Sequence, residues 1–166
     1  MRDSEPMTKF GYERISEELN HLKTVERQEI AKEIERAADL GDLKENAEYH
    51  AAKEKQFHTD NRIDELTELI GKAQIVDPSS LEHARVSFGS TVVLCNLDTE
   101  EEVSYTIVGG FESNPSIGLI SFNSPLAKQL LGKEEGDEFK AKLPGGVKEY
   151  EVLEVKYQEI VFETHF

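Results

Sequence analysis

The sequence predicts an α+β chain, in which an antiparallel helical hairpin precedes an antiparallel sheet that carries one short helix. The composition changes at residues 77–80, which read Asp-Pro-Ser-Ser. Before this point apolar residues recur mostly in steps of three and four, the period of a helix. After it, short blocks of Val, Ile, Phe and Tyr alternate with Gly, Pro and Asn, which is typical of strands and turns. We therefore expect two domains, residues 1–77 and 78–166.

Two long helices are predicted in the first domain. The first begins after Thr8, a possible N-cap, and ends before Gly41. The second is expected from about residue 43 to residue 73. Because the connection between them is short, the helices should run antiparallel and pack their apolar stripes together as a coiled coil. The stripe positions are Ile15, Leu19, Leu22, Val25, Ile30, Ile34 and Ala37 on the first helix, and Ala52, Ile63, Leu66, Ile70 and Ala73 on the second.

The second domain is predicted to contain strands and one helix. Ser124 and Pro125 indicate the start of that helix, because a hydroxyl cap is followed by proline at the first helical position. The tail, residues 158–166, permits three alternatives: an added strand, a cover for the sheet or a loose end. The predicted strands are residues 86–96, 103–110, 118–123, 138–143 and 147–157, and the helix is 125–131.

Composition limits the cellular compartments in which the chain can function and the molecules that it can bind. The 166 residues carry a formal net charge of −15, so a generally basic surface for nucleic acid is excluded. Cys95 is the only cysteine, which rules out an intramolecular disulfide, and we expect it to be buried in a strand. The N-terminus lacks the apolar run of a secretion signal, and no stretch approaches the roughly 18 apolar residues of a membrane span. We expect a cytoplasmic protein.

The connection between the two predicted helices carries the carboxylates of Asp42 and Glu45. One interpretation is a capping box, in which Asp42 accepts the backbone N–H of Glu45 at the start of the second helix. The other is a metal site. Mg²⁺ prefers about six oxygen ligands and tends to keep waters and substrate phosphates, so two exposed carboxylates would suit a site that another molecule completes.

Basic residues surround this connection in the sequence. They could meet an RNA backbone as point charges, or they could pair with neighbouring glutamates on the helix surface. Tyr49 could likewise pack locally or contact nucleic acid, and local packing is favoured. The basic residues are Lys32, Arg36, Lys44, Lys53 and Lys55.

Residues 41–54 resemble the tip signature of the Gre family of bacterial transcript-cleavage elongation factors, and of its GreA branch. They read Gly-Asp-Leu-Lys-Glu-Asn-Ala-Glu-Tyr-His-Ala-Ala-Lys-Glu. The similarity covers about residues 7–157, including 86–90, 107–109, 120–127, 131–137 and 144–146. It implies an N-terminal coiled coil with its tip near residues 39–48, and an FKBP-like C-terminal domain.

The resemblance also implies a function. The C-terminal domain would dock on RNA polymerase, and the coiled coil would enter its secondary channel and stimulate hydrolysis of the 3′ end of backtracked RNA, rescuing arrested complexes. The chain would then be a monomeric factor with no membrane contact, and would activate the polymerase's nuclease without being an enzyme itself. Asp42 and Glu45 would act catalytically in trans by holding a Mg²⁺ ion that is shared with polymerase and bound only in that complex.

Further residues receive roles from the same resemblance. Arg36, Lys44 and Lys53 would contact the RNA backbone, and Asn123, Ser124 and Pro125 would dock on polymerase. One position departs from the family: Ala38 stands where the basic patch typically has an arginine, so the patch looks weakened.

Three alternatives to this function stay open. The chain could be an inhibitory channel-binding homologue, a peptidyl-prolyl isomerase or a coiled-coil adaptor without chemistry at its tip. The Asp-Leu-Lys-Glu tip favours the activator, because the inhibitory relatives carry a different acidic tip.

Overall fold

The computed structural model describes residues 4–162 and divides into two compact units. Among these residues, the helical unit contains 4–5 and 12–73, and the sheet unit contains 6–11 and 74–162. The first helix, α1 (Lys9–His21), starts in the sheet unit and continues into the helical unit. The chain therefore passes from one unit to the other within α1, as well as at residues 5–6 and 73–74.

The helical unit is an antiparallel hairpin. A π-helical stretch, Leu22–Glu26, connects α1 to α2 (Arg27–Ala38), and the residues at both junctions keep right-handed helical dihedrals. The return helix is α3 (Ala47–Lys72). Its direction follows from the cross-pairs, since Arg27 pairs with Asp60 and Glu33 with Lys55.

The predicted apolar stripe is largely correct, with two differences. Ile15, Ile30 and Ala37 on the first side, and Ala52, Ile63, Leu66 and Leu69 on the second, are buried. Val25 is 40% exposed, because it lies in the π-helical stretch, whose wider turn rotates side chains out of the stripe. Leu69 takes the buried place that was predicted for Ile70, since it continues the three-residue step from Ile63 and Leu66.

The sheet unit contains a five-stranded sheet. Its strands are β3 (Thr91–Asn96), β4 (Glu102–Val108), β5 (Leu119–Ser121), β6 (Glu138–Leu143) and β7 (Gly146–Lys156). Their order in the sheet is β5-β4-β3-β7-β6, and α4 (Pro125–Leu130) follows β5. A separate two-stranded sheet pairs β1 (Glu5–Met7) with β2 (Ala73–Ile75).

Two features of this sheet differ from the sequence expectation. The β4–β5 pair is parallel, with Thr106 opposite Leu119, whereas every other pair in the five-stranded sheet is antiparallel. The connection that allows this contains a 3₁₀ turn at Pro115–Ile117. Residues 86–90 were predicted as strand, but Ser90 N–H donates to Ser87 O at 3.0 Å and closes a turn there, so β3 begins only at Thr91.

One apolar cluster forms the core of the sheet unit. It combines side chains of β3, β4 and β7 with those of α4, which packs against β6. Cys95 lies in β3 as expected but is only half-buried. The fully buried members include Val92, Leu94, Ile107, Ala127, Leu130, Ala141 and Val152.

The tail forms no strand within its described part, residues 158–162. Instead the Phe162 ring stacks on Phe10, with centroids 4.4 Å apart. Phe166 lies outside the described residues. Between residues 4 and 162, no helix combines the length and apolar character needed to cross a membrane.

Candidate functional site

Eight residues, 39–46, turn the chain from α2 into α3 at the tip of the helical unit. The Leu40 N–H donates to Ala37 O at 3.1 Å and closes the last turn of α2. Gly41 then adopts a φ of +127°, a conformation that residues with a Cβ rarely reach. A residue without a side chain is therefore required at this point of the turn.

Asp42 and Glu45 both precede α3 and are both exposed. Asp42 Oδ1 accepts the backbone N–H of Lys44 at 3.0 Å, which forms an Asx turn. The helix does not begin until Ala47. The capping-box interpretation is therefore wrong: the N–H that donates to Asp42 is two residues away instead of three, and Glu45 lies outside the first helical turn.

Asn46 is the N-cap of α3. Its Oδ1 accepts the Tyr49 N–H at 3.1 Å, and its Nδ2 donates to Ala37 O across the tip. Sequence reasoning missed this residue, although asparagine caps helices as well as aspartate does and immediately precedes a good helix former. The same side chain thus fixes the start of α3 and the end of α2.

His50 stabilises the turn from the other side. Its Nε2 lies 3.1 Å from Lys44 O, so a proton on Nε2 is donated to that carbonyl. The turn that carries Asp42 is consequently held at Lys44 by both backbone groups, the N–H through Asp42 and the C=O through His50. These bonds hold the backbone of the turn at Lys44 and the carboxylate of Asp42 in a defined conformation.

The donor chemistry at the tip fits a hard divalent cation, but the number of ligands is too small for the protein alone. Two carboxylates supply oxygen ligands of the kind that Mg²⁺ prefers, out of about six that it needs. Among residues 4–162, no group of three or more His, Cys, Asp or Glu side chains is arranged to hold a metal. The tip can therefore contribute part of a metal site and not a complete one.

The basic residues near the tip divide into two kinds. Lys55 pairs with Glu33 at 3.4 Å, so the surface-pairing interpretation applies to it. Lys44, Arg36 and Lys53 are exposed. Arg36 also borders an open cavity of about 520 Å³ beside the tip, which is lined in addition by Leu40, Glu48 and Lys55.

Tyr49 packs locally, as the sequence favoured. The residue is half-buried, its ring meets His50 edge to face at 5.8 Å, and the Lys53 ammonium lies 5.9 Å from its centroid. Tyr49 therefore helps to orient one of the exposed cations of the tip.

The predicted docking residues lie in the sheet unit, at the start of α4. Ser124 Oγ accepts the Ala127 N–H at 3.3 Å and Pro125 is the first helical residue, so the predicted cap is correct. Asn123 donates its backbone N–H to Ser121 Oγ at 3.2 Å. Asn123 and Pro125 are exposed, which leaves them available to a partner.

Comparison with known protein families and sequences gives consistent matches along the chain. Residues 5–75 match the family described as "Transcription elongation factor, N-terminal", and residues 81–157 match "Transcription elongation factor, GreA/GreB, C-term". The transcription elongation factor GreA of Nautilia profundicola is 60% identical over 158 residues, which cover 95% of this chain and 98% of the relative. The same factor of Sulfurovum sp. is 62% identical over 156 residues, covering 94% and 96%.

Solved structures also match. The GreA factor homolog 1 (Gfh1) of Thermus thermophilus is 29% identical, and the match covers 93% of this chain and 99% of that one with a TM-score of 0.43.

Proposed function

The chain belongs to the GreA/GreB family of transcription elongation factors, and from this premise we propose that its tip carboxylates complete a magnesium site inside RNA polymerase. In this proposal residues 78–166 dock on polymerase and residues 1–77 enter the secondary channel. The factor then stimulates endonucleolytic cleavage of the 3′ end of backtracked RNA and so rescues arrested complexes in the cytoplasm.

The observation that supports this function best is the position of Asp42 and Glu45. Both carboxylates are exposed on a bonded turn before the first residue of α3. The neighbouring buried positions are the small residues Ala37 and Ala52, which allow the two helices to approach closely and keep this end of the hairpin narrow. A narrow, acidic tip suits insertion into another protein's active centre.

The tip residues have separate tasks in this proposal. The Asx turn fixes the Asp42 side chain through a hydrogen bond to Oδ1. The carboxylates of Asp42 and Glu45 together hold Mg²⁺, and polymerase supplies the remaining ligands. A divalent cation bound there would lower the pKa of an attacking water and stabilise the charge that develops on the phosphate oxygens. Because the polymerase supplies the reacting centre, the factor is not an enzyme by itself.

The exposed cations act on the substrate strand. Lys44, Arg36 and Lys53 are within the same end of the hairpin, where ammonium and guanidinium groups can neutralise RNA phosphates. Ala38 contributes no charge at a position where the family typically has one. We therefore expect this chain to bind the extruded RNA weakly.

The test is a cleavage assay on stalled, backtracked complexes. Asp42→Asn and Glu45→Gln keep the side-chain shape and remove the charge that binds the cation. We expect each to lower stimulated cleavage about 10²-fold at saturating factor, while affinity for polymerase stays within about twofold. Glu48→Gln, a neutralised exposed residue in the first turn of α3, is the matched control.

The outcomes separate the alternatives. Full stimulation by Asp42→Asn would remove that residue from the metal site. An inhibitory factor would instead slow both cleavage and nucleotide addition, and neutralising the tip would not change the sign of its effect.

A further inference from the structure

The carboxylate of Glu112, in the loop after β4, is buried at 3% exposure. Its Oε1 accepts the N–H of Thr8 at 2.9 Å and the N–H of Gly109 at 2.8 Å. Its Oε2 accepts the N–H of Gly11 at 3.1 Å and the hydroxyl of Thr8. All of these donors are neutral, and most belong to the first turn of α1 or the residue before it.

Two glycines make room for this carboxylate. A Cβ added at Gly11 would overlap Glu112 Oε2, and one added at Gly109 would lie 3.0 Å from Oε1 and 2.8 Å from Pro6 O. Gly11 lies in the first turn of α1, where glycine is a poor helix former. The position of the Glu112 carboxylate explains why glycine stands at residue 11. A residue with a Cβ would favour the helix more but would overlap Glu112 Oε2.

A buried carboxylate is costly unless its oxygens receive several hydrogen bonds. Here the donors are backbone groups at a helix N-terminus, where the unpaired N–H groups and the helix dipole favour a negative charge. The arrangement therefore binds the first turn of α1 to the loop after β4 more specifically than apolar packing would.

The hydrogen bonds between Glu112 and the first turn of α1 lie where the chain passes from the sheet unit into the helical unit. Thr8 and Gly11 belong to the sheet unit together with Glu112, whereas α1 belongs to the helical unit from Tyr12 onward. The residues that Glu112 holds are thus the first turn of the same helix that leads into the hairpin. A defined first turn limits the directions that a continuous helix can take.

We propose that Glu112 is a positioning residue of this elongation factor. Its carboxylate fixes the first turn of α1 to the sheet unit, and through that helix it restricts where the tip carboxylates are delivered. This inference rests on the proposed function for its effect on cleavage, but the restriction itself can be measured without polymerase.

The direct test measures distances within the full-length protein. Cys95 is replaced by serine, and nitroxide labels are attached to cysteines placed at the exposed positions Glu54 in α3 and Lys148 in β7. Double electron–electron resonance then gives the distance distribution between the two labels. We expect Glu112→Gln, which puts an NH₂ group against N–H donors, to widen or split that distribution.

Two further variants make the result decisive. Gly11→Ala improves helix propensity but displaces the Glu112 carboxylate from its donors, so we expect it to widen the distribution as well. Thr8→Val removes one donor with little change of shape, and carries the test if Glu112→Gln is poorly folded by circular dichroism. Glu101→Gln, an exposed residue in the β3–β4 turn, is the charge-matched control and should leave the distribution unchanged.

Cleavage assays supply the functional readout. We expect Glu112→Gln to lower the maximal cleavage rate about threefold or more, with the factor concentration for half-maximal effect within about twofold of wild type. If Glu112 only stabilised the fold, Glu112→Gln would leave the maximal cleavage rate unchanged at temperatures below the melting temperature of the variant. Unchanged distance distributions in Glu112→Gln and Gly11→Ala would overturn the proposal.

The two proposals fail differently. Suppose that Asp42→Asn stimulates cleavage normally while Glu112→Gln widens the distance distribution. The metal role of Asp42 is then wrong, and the positioning role of Glu112 is retained. If Asp42→Asn is inactive and Glu112→Gln changes neither distances nor the maximal rate, only the positioning role is lost.

Discussion

The side-chain amide of Asn46 donates to the carbonyl oxygen of Ala37, so the residue that opens α3 also satisfies the last turn of α2. The last four carbonyls of a helix have no partner within that helix. Ala37 O, one of these, accepts the Leu40 N–H at 3.1 Å, and the Asn46 amide is a second donor to it. The Asn46 Oδ1 simultaneously accepts the Tyr49 N–H. The turn that presents Asp42 and Glu45 is therefore tied to both helices by a single side chain.

Replacing Asn46 with alanine should destabilise the helical unit. Loss of an N-cap costs about 1 kcal/mol, and here the bond to Ala37 is lost as well. Urea unfolding followed by circular dichroism measures the change. Asn61→Ala, in the exposed interior of α3, is the control and should be neutral or slightly stabilising because alanine is the better helix former. Equal urea midpoints for Asn46→Ala and wild type would contradict this role.

The Arg62–Glu18 pair should contribute little, and its contribution should depend on salt. Arg62 Nε and Nη2 donate to the two carboxylate oxygens of Glu18 at 2.9 and 3.2 Å, on an exposed face of the hairpin. Exposed pairs of this kind stabilise by about 0.5 kcal/mol and are screened by salt. We expect Glu18→Gln to lose about that amount in dilute buffer and less in concentrated NaCl, as measured by urea unfolding.

The same pair should not make stability depend on pH near neutrality. Its hydrogen bond to Glu18 raises the pKa of the Arg62 guanidinium, which is already far above neutral. A raised pKa gives stability that is complete below the unfolded-state pKa and is lost only as the pH rises through the folded value. A difference in pH dependence between wild type and Arg62→Gln at mildly alkaline pH would contradict this expectation.

Tyr105 in β4 should titrate later than an ordinary tyrosine. Burial raises the pKa of its phenol, and Tyr150 raises it further, against an opposing effect of Lys148. The stability associated with this shift is therefore present below about pH 10 and decreases as the pH rises beyond it. The chain contains five tyrosines and no tryptophan, so the ultraviolet absorbance of tyrosinate is measured without overlap from indole. The titration step missing from Tyr105→Phe should be a late one, and loss of an early step would contradict the prediction.

The Phe10–Phe162 stack should make the tail a stabilising element. The rings are nearly parallel at 7° with centroids 4.4 Å apart, and Phe162 also lines a cavity of about 450 Å³ with Ile75 and Tyr157. A double-mutant cycle of Phe10→Ala and Phe162→Ala should give a coupling of about 1 kcal/mol. Val161→Ala, whose side chain is 65% exposed, is the control and should be nearly neutral. Additive effects of the two phenylalanine substitutions would show that the stack contributes nothing specific.

The sequence predicted the helices and most strands because their periodic signals are long and local. Steps of three and four residues identify a hairpin regardless of what surrounds it, and Ser124 followed by Pro125 identifies the start of α4. The π-helical stretch was not predicted, although the sequence carries a trace of it: the apolar step from Val25 to Ile30 is five residues, whereas the other steps of the first stripe are three or four. The parallel β4–β5 pair was missed because strand direction depends on a connection whose path no local pattern specifies.

Within the candidate site, residue types were easier to identify than bonds. The resemblance selected Asp42 and Glu45, but spacing alone suggested a capping box that the structure replaces with an Asx turn and an Asn46 cap. Glu112 gave no signal at all, because its partners Thr8 and Gly11 are about a hundred residues away in the chain. Such long-range polar contacts require the fold before they can be recognised.

We propose that Asp42 and Glu45 supply ligands to a Mg²⁺ ion in the active centre of polymerase, and the Mg²⁺ dependence of cleavage measures that contribution. Backtracked complexes should be titrated with Mg²⁺ at saturating concentrations of wild-type factor and of the Asp42→Asn, Glu45→Gln double variant. We predict that wild type lowers the Mg²⁺ concentration for half-maximal cleavage about tenfold or more relative to polymerase alone, and that the double variant does not. Equal half-maximal Mg²⁺ concentrations for wild type and the double variant would contradict the account.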